Sequence, residues 1–227
     1  MPQQLQRRKF IGRMAAAIAA GAIQVGCIRD RSVKYSKTTP SGNNPQKLTQ
    51  SKFEEKLTEL RQMPRDLVML LLNKKVDHYM QLSHNCAQSG FLALQEQFGL
   101  GGDEVVKALT PLAGIAERGE TCGAVTGPLM AYGLIYGRGK HQLEDWDAYR
   151  TSLVPSGKFC HAFEKAFGTT QCHEIQKKQF GRSYQLTDPK ELTLFQEAGA
   201  TENCSIVVRK AVRLAATIIL DYKRELA

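Results

Sequence analysis

The chain has 227 residues, of which 42% are hydrophobic, and a formal net charge of +9. That is enough apolar material for one core of ordinary domain size plus extensions. The charge is unevenly placed: residues 1–27 carry four basic and no acidic groups, 28–52 six basic and one acidic, and 53–227 carry 21 of each. The part expected to fold has no cationic excess with which to hold phosphates, so nucleic acid is excluded as the partner that a pI near 9.3 suggests.

The leader reads QRRKFIGRMAAAIAAGAIQVGC. Arg7, Arg8 and Lys9 precede a weakly hydrophobic, alanine-rich run that is shorter than the roughly 20 apolar residues needed to span a bilayer. This charged-then-apolar order predicts an export signal over residues 1–27. Arg7-Arg8-x-Phe10-Ile11 resembles the twin-arginine signal, with Gln6 and Gly12 departing from it at the flanks. The resemblance implies export of an already folded protein to the periplasm or the outer face of the membrane. Val25-Gly26-Cys27 is similar to the end of a lipoprotein signal, although Gln24 stands where that motif usually has Leu. This implies membrane attachment through a lipidated Cys27. Residues 28–52 contain Pro, Gly and Asn without apolar periodicity and read as a flexible basic linker.

From residue 53 to 227 the apolar period is 3.6. FEEKLTELRQM places Phe53, Leu57 and Leu60 on one face, and Pro64 suits the first turn of the next helix. Asn85 or Ser83 caps CAQSGFLALQEQFG, which stops at Gly99. Asp103 caps a helix bent or broken at Pro111, and Thr121 opens the apolar run CGAVTGPLMAYGLIYG. LEDWDAYRTSLV and GKFCHAFEKAFG read as two helices separated by Pro155. QCHEIQKKQFG follows Thr169-Thr170, DPKELTLFQEAG has an Asp cap, and Thr201 opens the longest helix. With no hairpin signal and no run of alternating β-branched residues, the expectation is an all-α bundle of about eight helices.

Of the six cysteines, those beyond the leader are Cys86, Cys122, Cys160, Cys172 and Cys204. They form no CxxC pair, zinc-finger spacing, ferredoxin run or CxxCH haem site. Position is more informative than spacing. Cys86, Cys122, Cys172 and Cys204 each follow a capping residue by one to three places, so each is expected in the first turn of a helix; Cys160 is mid-helix. Unpaired N–H groups and the helix dipole there favour a thiolate or a bound anion. Four such termini converging on one point would ligate an iron–sulfur cluster for electron transfer or sensing. Against this stands the ordinary role of cysteine as a small buried hydrophobe.

Cys86 in NCAQSG, Cys122 in CGAVTG, Cys172 in FGTTQC and Cys204 in the last helix are similar to the redox-active family labelled by its motif C-GCAxxG-C-C. The central motif is present as Cys122-Gly123-Ala124-Val125-Thr126-Gly127, and the resemblance covers about residues 80–220. It implies a helical redox domain over 53–227, a bound iron–sulfur or other redox cofactor, and a partner among redox, oxidoreductase or transport proteins. A similar domain occurs in split-Soret cytochromes, but haem is not implied because the haem motif is missing here. Cys160 lies outside the pattern. Gly123 and Gly127 leave room for either a cofactor or a facing helix to approach Cys122.

His84, His161 and His173 lie beside cysteines and are expected to be surface or satisfied polar groups rather than ligands. No nucleophile–base set for hydrolysis and no phosphate loop is found. Three readings stand: a cluster protein using Cys86, Cys122, Cys172 and Cys204; a thiol–disulfide oxidoreductase in which two of them cycle; and a non-catalytic helical binding module held by disulfides.

Overall fold

The structure, a computed structural model, describes residues 45–222. The expected export signal, with Arg7, Arg8 and Cys27, lies outside the described residues, as does most of the expected linker. The first helix nonetheless begins at Pro45, inside the stretch expected to be linker. Proline suits that first helical position because its missing N–H would be unpaired there anyway.

The described residues are all-α. In chain order the helices are α1 (Pro45–Gln62), α2 (Arg65–Ser83), α3 (Cys86–Phe98), α4 (Asp103–Ala108), α5 (Gly123–Tyr136), α6 (Trp146–Phe167), α7 (Cys172–Phe180), α8 (Pro189–Glu197) and α9 (Ala200–Asp221). A further four-residue helical segment, Gly114–Glu117, has positive φ throughout and so winds the other way. Among the described residues no strand occurs, only one isolated antiparallel bridge between Thr121 and Gln171. No described helix is long and apolar enough to cross a membrane.

The core is built around α3 and α9. Phe53, Leu57 and Leu60 bury the expected face of α1, and Val207, Val208, Ala211, Val212, Ala215 and Ile219 bury one stripe of α9. Arg61 of α1 closes the C-terminus of α9, donating to Leu220 O and Tyr222 O at 3.0 Å each. Helices α3 and α5 approach backbone to backbone through the small face of α5. A Cβ on Gly123 would lie 2.6 Å from Ala87 N and 2.8 Å from Cys86 Cβ, and one on Gly127 would strike the Ala87 carbonyl oxygen. What comes close to these two glycines is the facing helix. Gly90 is less constrained, since a Cβ there would make only ordinary contacts with Val208, Pro128 and Val212 side chains.

Several boundaries differ from expectation, and Asp103 is the first residue of α4, after the N-cap Gly102, rather than its cap. Helix α6 runs unbroken through Pro155. Interior proline costs a hydrogen bond and a ring clash, about 3 kcal/mol; the buried position of Pro155 returns part of that by removing its ring from water. The last long helix begins at Ala200 after Gly199, whose φ of 79° turns the chain from α8 into α9. Cys204 is therefore in the second turn of its helix rather than the first.

Candidate functional site: clustered thiols and a cavity

A two-residue turn, His84-Asn85, joins α2 to α3. His84 ends α2 with φ 50° and returns its N–H to Met80 O, and its Nδ1 lies 2.8 Å from Thr201 Oγ1 on α9. Asn85 caps α3 by accepting from the N–H groups of Ala87 and Gln88 at 3.1 and 3.0 Å. Cys86 is thereby fixed as the first residue of α3, facing the glycine-lined side of α5.

Cys122 and Cys172 are brought together by backbone. Around the Thr121–Gln171 bridge, Cys122 N donates to Thr170 O at 2.9 Å and Cys172 N donates to Glu120 O at 2.7 Å. His173 N adds a third bond, to Gly119 O at 2.9 Å, and His173 Nδ1 lies 2.7 Å from the same oxygen. Both histidines with a hydrogen bond here, His84 and His173, are satisfied polar groups as expected. Cys122, not Thr121, is the N-cap of α5. Cys172 opens α7, and Gln176, one turn on, donates Nε2–H to its sulfur at 3.5 Å. The other end of that amide, Oε1, accepts from Tyr184 N at 2.9 Å. This holds the donor end on the thiol.

The left-handed segment closes the site from outside. Ile115 (φ 47°), Ala116 (φ 56°) and Glu117 (φ 61°) occupy a region that costs about 1–2 kcal/mol per non-glycine residue. Gly114, at φ 56°, starts the turn, and a Cβ there would already be 3.7 Å from Cys172 Sγ. Beneath it lies a cavity of about 70 Å³ walled by Cys86, Cys172 and Cys204 on one side and by Met80, Leu186, Leu192 and Phe195 on the other. Glu117 borders it, and among the described residues on its wall none is Lys or Arg.

The four thiols perturb one another: Cys204 acts most strongly on Cys86, and Cys172 on Cys122, while Cys86 also feels Cys172 and Cys122 feels Cys86. The neighbouring Cys204 raises the Cys86 thiol well above its ordinary value, burial adds to this, and the charges of Cys204 and Cys172 add a further rise. The Cys122 thiol is likewise pushed well up, first by the neighbouring Cys172 and then by burial. Cys172 moves down: the neighbouring Cys122 outweighs burial, and the Gln176 donor lowers it further. Cys160, apart on α6, is pushed up by burial and by the charge of Glu164.

This arrangement corrects the expected iron–sulfur centre. Among the described residues no three His, Cys, Asp or Glu side chains are gathered closely enough to hold a metal ion. A cluster ligated by Cys86, Cys122, Cys172 and Cys204 needs four sulfurs around a common point, and among the described residues no such gathering occurs. The helix-terminal N–H groups expected to face such a cluster are also spent, on Asn85, Thr170, Glu120 and Gly119. The residues do not fit the group, and the metal-binding and electron-transfer readings that depended on it fall with it. The disulfide-held module is corrected as well, because the five described cysteines are all free thiols. Gly127 faces α3 alone, while Gly123 both packs on Cys86 and borders the cavity.

Gln176 and the left-handed segment escaped the sequence reading. Gln176 had a visible signal, being four residues after Cys172 on a helix and so on the same face. The glycines at 114 and 119 mark where the chain reverses its hand.

The described residues thus form a helical domain in which Cys86, Cys172 and Cys204 line one cavity and Cys122 is buried at the N-cap of α5. The chain belongs to the family described as "Putative redox-active protein (C_GCAxxG_C_C)", which matches residues 84–218. That span begins just before Cys86 and includes Cys122, Cys172 and Cys204 as well. Searches of curated proteins and of solved structures found no match.

Proposed function

We propose that the chain is a thiol–disulfide redox protein whose Cys122 and Cys172 cycle between dithiol and disulfide, with a small uncharged disulfide as reaction partner. The observation that carries this is the Thr121–Gln171 bridge, which sets the two thiols side by side with Cys172 as the stabilised thiolate. Cys172 attacks one sulfur of the partner, forming a mixed disulfide and expelling the other half as a thiolate. Cys122 then attacks Cys172, releases the second half and closes the intramolecular disulfide. The low thiol of Cys172 makes it both the better nucleophile near neutral pH and the better leaving group on the return step. Apolar walls and the absence of cationic side chains among the described wall residues favour an uncharged molecule over a polycarboxylate such as glutathione disulfide.

The test is the rate of thiol–disulfide exchange with hydroxyethyl disulfide and with glutathione disulfide. The uncharged disulfide should react at least about tenfold faster, with the rate lost in Cys172→Ser and a mixed disulfide accumulating in Cys122→Ser. Equal rates in the wild type and Cys172→Ser would overturn the reading.

Export is part of the same proposal and rests on the leader alone. Changing Arg7 and Arg8 together to lysine should leave unprocessed protein in the cytoplasm, and Cys27→Ser should release the protein from the membrane. Normal export of the double variant, or an unlipidated wild type, would remove the respective step.

A further inference from the structure

We infer that Cys86 and Cys204 are a second redox couple that takes over the disulfide from Cys122 and Cys172, making the cavity wall an internal thiol–disulfide relay. This rests on the cycling of Cys122 and Cys172 proposed above and adds a destination for the oxidising equivalents.

Cys86 stands between the two pairs. On one side it lines the same cavity as Cys204 of α9. On the other its Cβ lies only 2.8 Å from where a Gly123 Cβ would be, directly beside the N-cap Cys122. A side chain on Gly123 would collide with Cys86 and push α3 away from the N-cap of α5. Cys86, Cys172 and Cys204 share one cavity wall, and Cys122 is 5% exposed beneath it. A disulfide involving Cys122 is therefore out of reach of a second protein but next to Cys86. Nothing in the dithiol cycle of Cys122 and Cys172 uses Cys86 or Cys204, so their placement is otherwise without a role.

The exchange balances without an outside reagent. Cys86 gives its proton to solvent and attacks Cys122 Sγ; a Cys86–Cys122 bond forms, and Cys172 leaves as thiolate. Cys204 then attacks Cys86 Sγ, its proton passing to the departing Cys122. The products are a Cys86–Cys204 disulfide, a Cys122 thiol and a Cys172 thiolate. Cys86 and Cys204 have each lost one electron, and Cys122 and Cys172 have each gained one. The direction follows from the leaving group: the stabilised Cys172 thiolate makes its own disulfide the more oxidising of the two.

The experiment treats the reduced full-length chain with one equivalent of hydroxyethyl disulfide, quenches it with acid over a time course, and maps disulfides by mass spectrometry after alkylation. The expected result is a Cys122–Cys172 disulfide that rises first and decays as Cys86–Cys204 accumulates. Cys204→Ser should lose the final disulfide and stall as Cys86–Cys122. A Cys122–Cys172 disulfide that persists while Cys86 and Cys204 stay reduced would overturn the relay and leave the dithiol cycle standing. Direct formation of Cys86–Cys204 at an unchanged rate in Cys172→Ser would overturn both. Should Cys204→Ser fail to fold, the order of appearance in the wild type decides by itself.

Discussion

The two thiol pairs are held by different physics. Cys122 and Cys172 are joined through main-chain hydrogen bonds of 2.9 and 2.7 Å that flank the Thr121–Gln171 bridge. Cys86 and Cys204 have no such main-chain clasp; they are brought to one cavity by the packing of α3 against α9, beside the contact of His84 Nδ1 with Thr201 Oγ1. The first pair is set by local backbone pairing and the second by the fit of a core. A perturbation of packing should therefore move the second pair and spare the first, and a perturbation of polar contacts should do the reverse.

The largest effect is expected at Gly127. An alanine Cβ there meets the Ala87 carbonyl oxygen and comes within 3.1 Å of Phe91 N, both backbone atoms of α3. Neither can swing away as a side chain would, so α3 must shift. Even after the gain of about 1 kcal/mol that alanine brings to a helix interior, Gly127→Ala should lose about 3 kcal/mol in denaturant unfolding. Because Cys86 moves with α3, formation of the Cys86–Cys204 disulfide should slow while that of Cys122–Cys172 is retained. Equal loss at both pairs would show that the clasp depends on core packing after all.

Gln176 tests the other side. Gln176→Leu removes the donor to Cys172 Sγ and leaves Tyr184 N without its acceptor. An unsatisfied buried donor costs about 1–3 kcal/mol. The Cys172 thiol should rise, so the pH profile of its alkylation shifts to higher pH, while Cys86 and Cys204 keep their behaviour. Gln176→Glu cannot donate when ionised and should raise the Cys172 thiol as well. An unmoved alkylation profile in both variants would remove Gln176 from the site.

These contrasts also show what the chain discloses by itself. Helix class and several ends were legible because they depend on near neighbours: the Asn85 and Asp188 caps, the stop at Gly99, and the apolar face of Phe53, Leu57 and Leu60. That Cys86, Cys122, Cys172 and Cys204 matter together was legible too, from their places near helix starts. Their division into pairs was not. It depends on hydrogen bonds between segments 120–122 and 170–172, and on how closely α3 approaches α5 and α9. A first-turn cysteine reads the same whether its terminus faces a shared cluster or, as here, a carbonyl from a distant loop. Pro155 misled in a similar way, since only its burial shows why α6 continues through it.

Alkaline pH separates the pairs through stability. The folded-state thiols of Cys86 and Cys122 are raised from the ordinary value of 9.0. The folded state thus holds these protons more tightly than the unfolded chain. The stability this contributes is complete below pH 9.0 and is lost as pH climbs from there through the raised values. Each group adds a slope of up to about 1.4 kcal/mol per pH unit in that window. Cys172 has the opposite sign: its contribution is present above its unfolded value and is lost as pH falls through its lowered one. Reduced wild type should therefore lose stability above pH 9.0 more steeply than Cys86→Ala. Identical slopes would show that the Cys86 proton is not held by Cys204.

The smallest effect is expected at Cys160, the thiol that belongs to neither pair. It lies in the middle of α6, partly covered, with burial and the charge of Glu164 keeping its proton on. It does not line the cavity shared by Cys86, Cys172 and Cys204, so it is set apart from the exchange chemistry. Serine is nearly the same size, and the partial exposure of the site lets its hydroxyl reach water, so Cys160→Ser should cost no more than about 1 kcal/mol. Exchange rates, the order of disulfide appearance and the alkaline slope should all match the wild type. If Cys160→Ser instead slowed exchange as Cys172→Ser does, the active thiols would not be those at the cavity. The bridge at Thr121 and Gln171 would then be a structural clasp with no part in the chemistry.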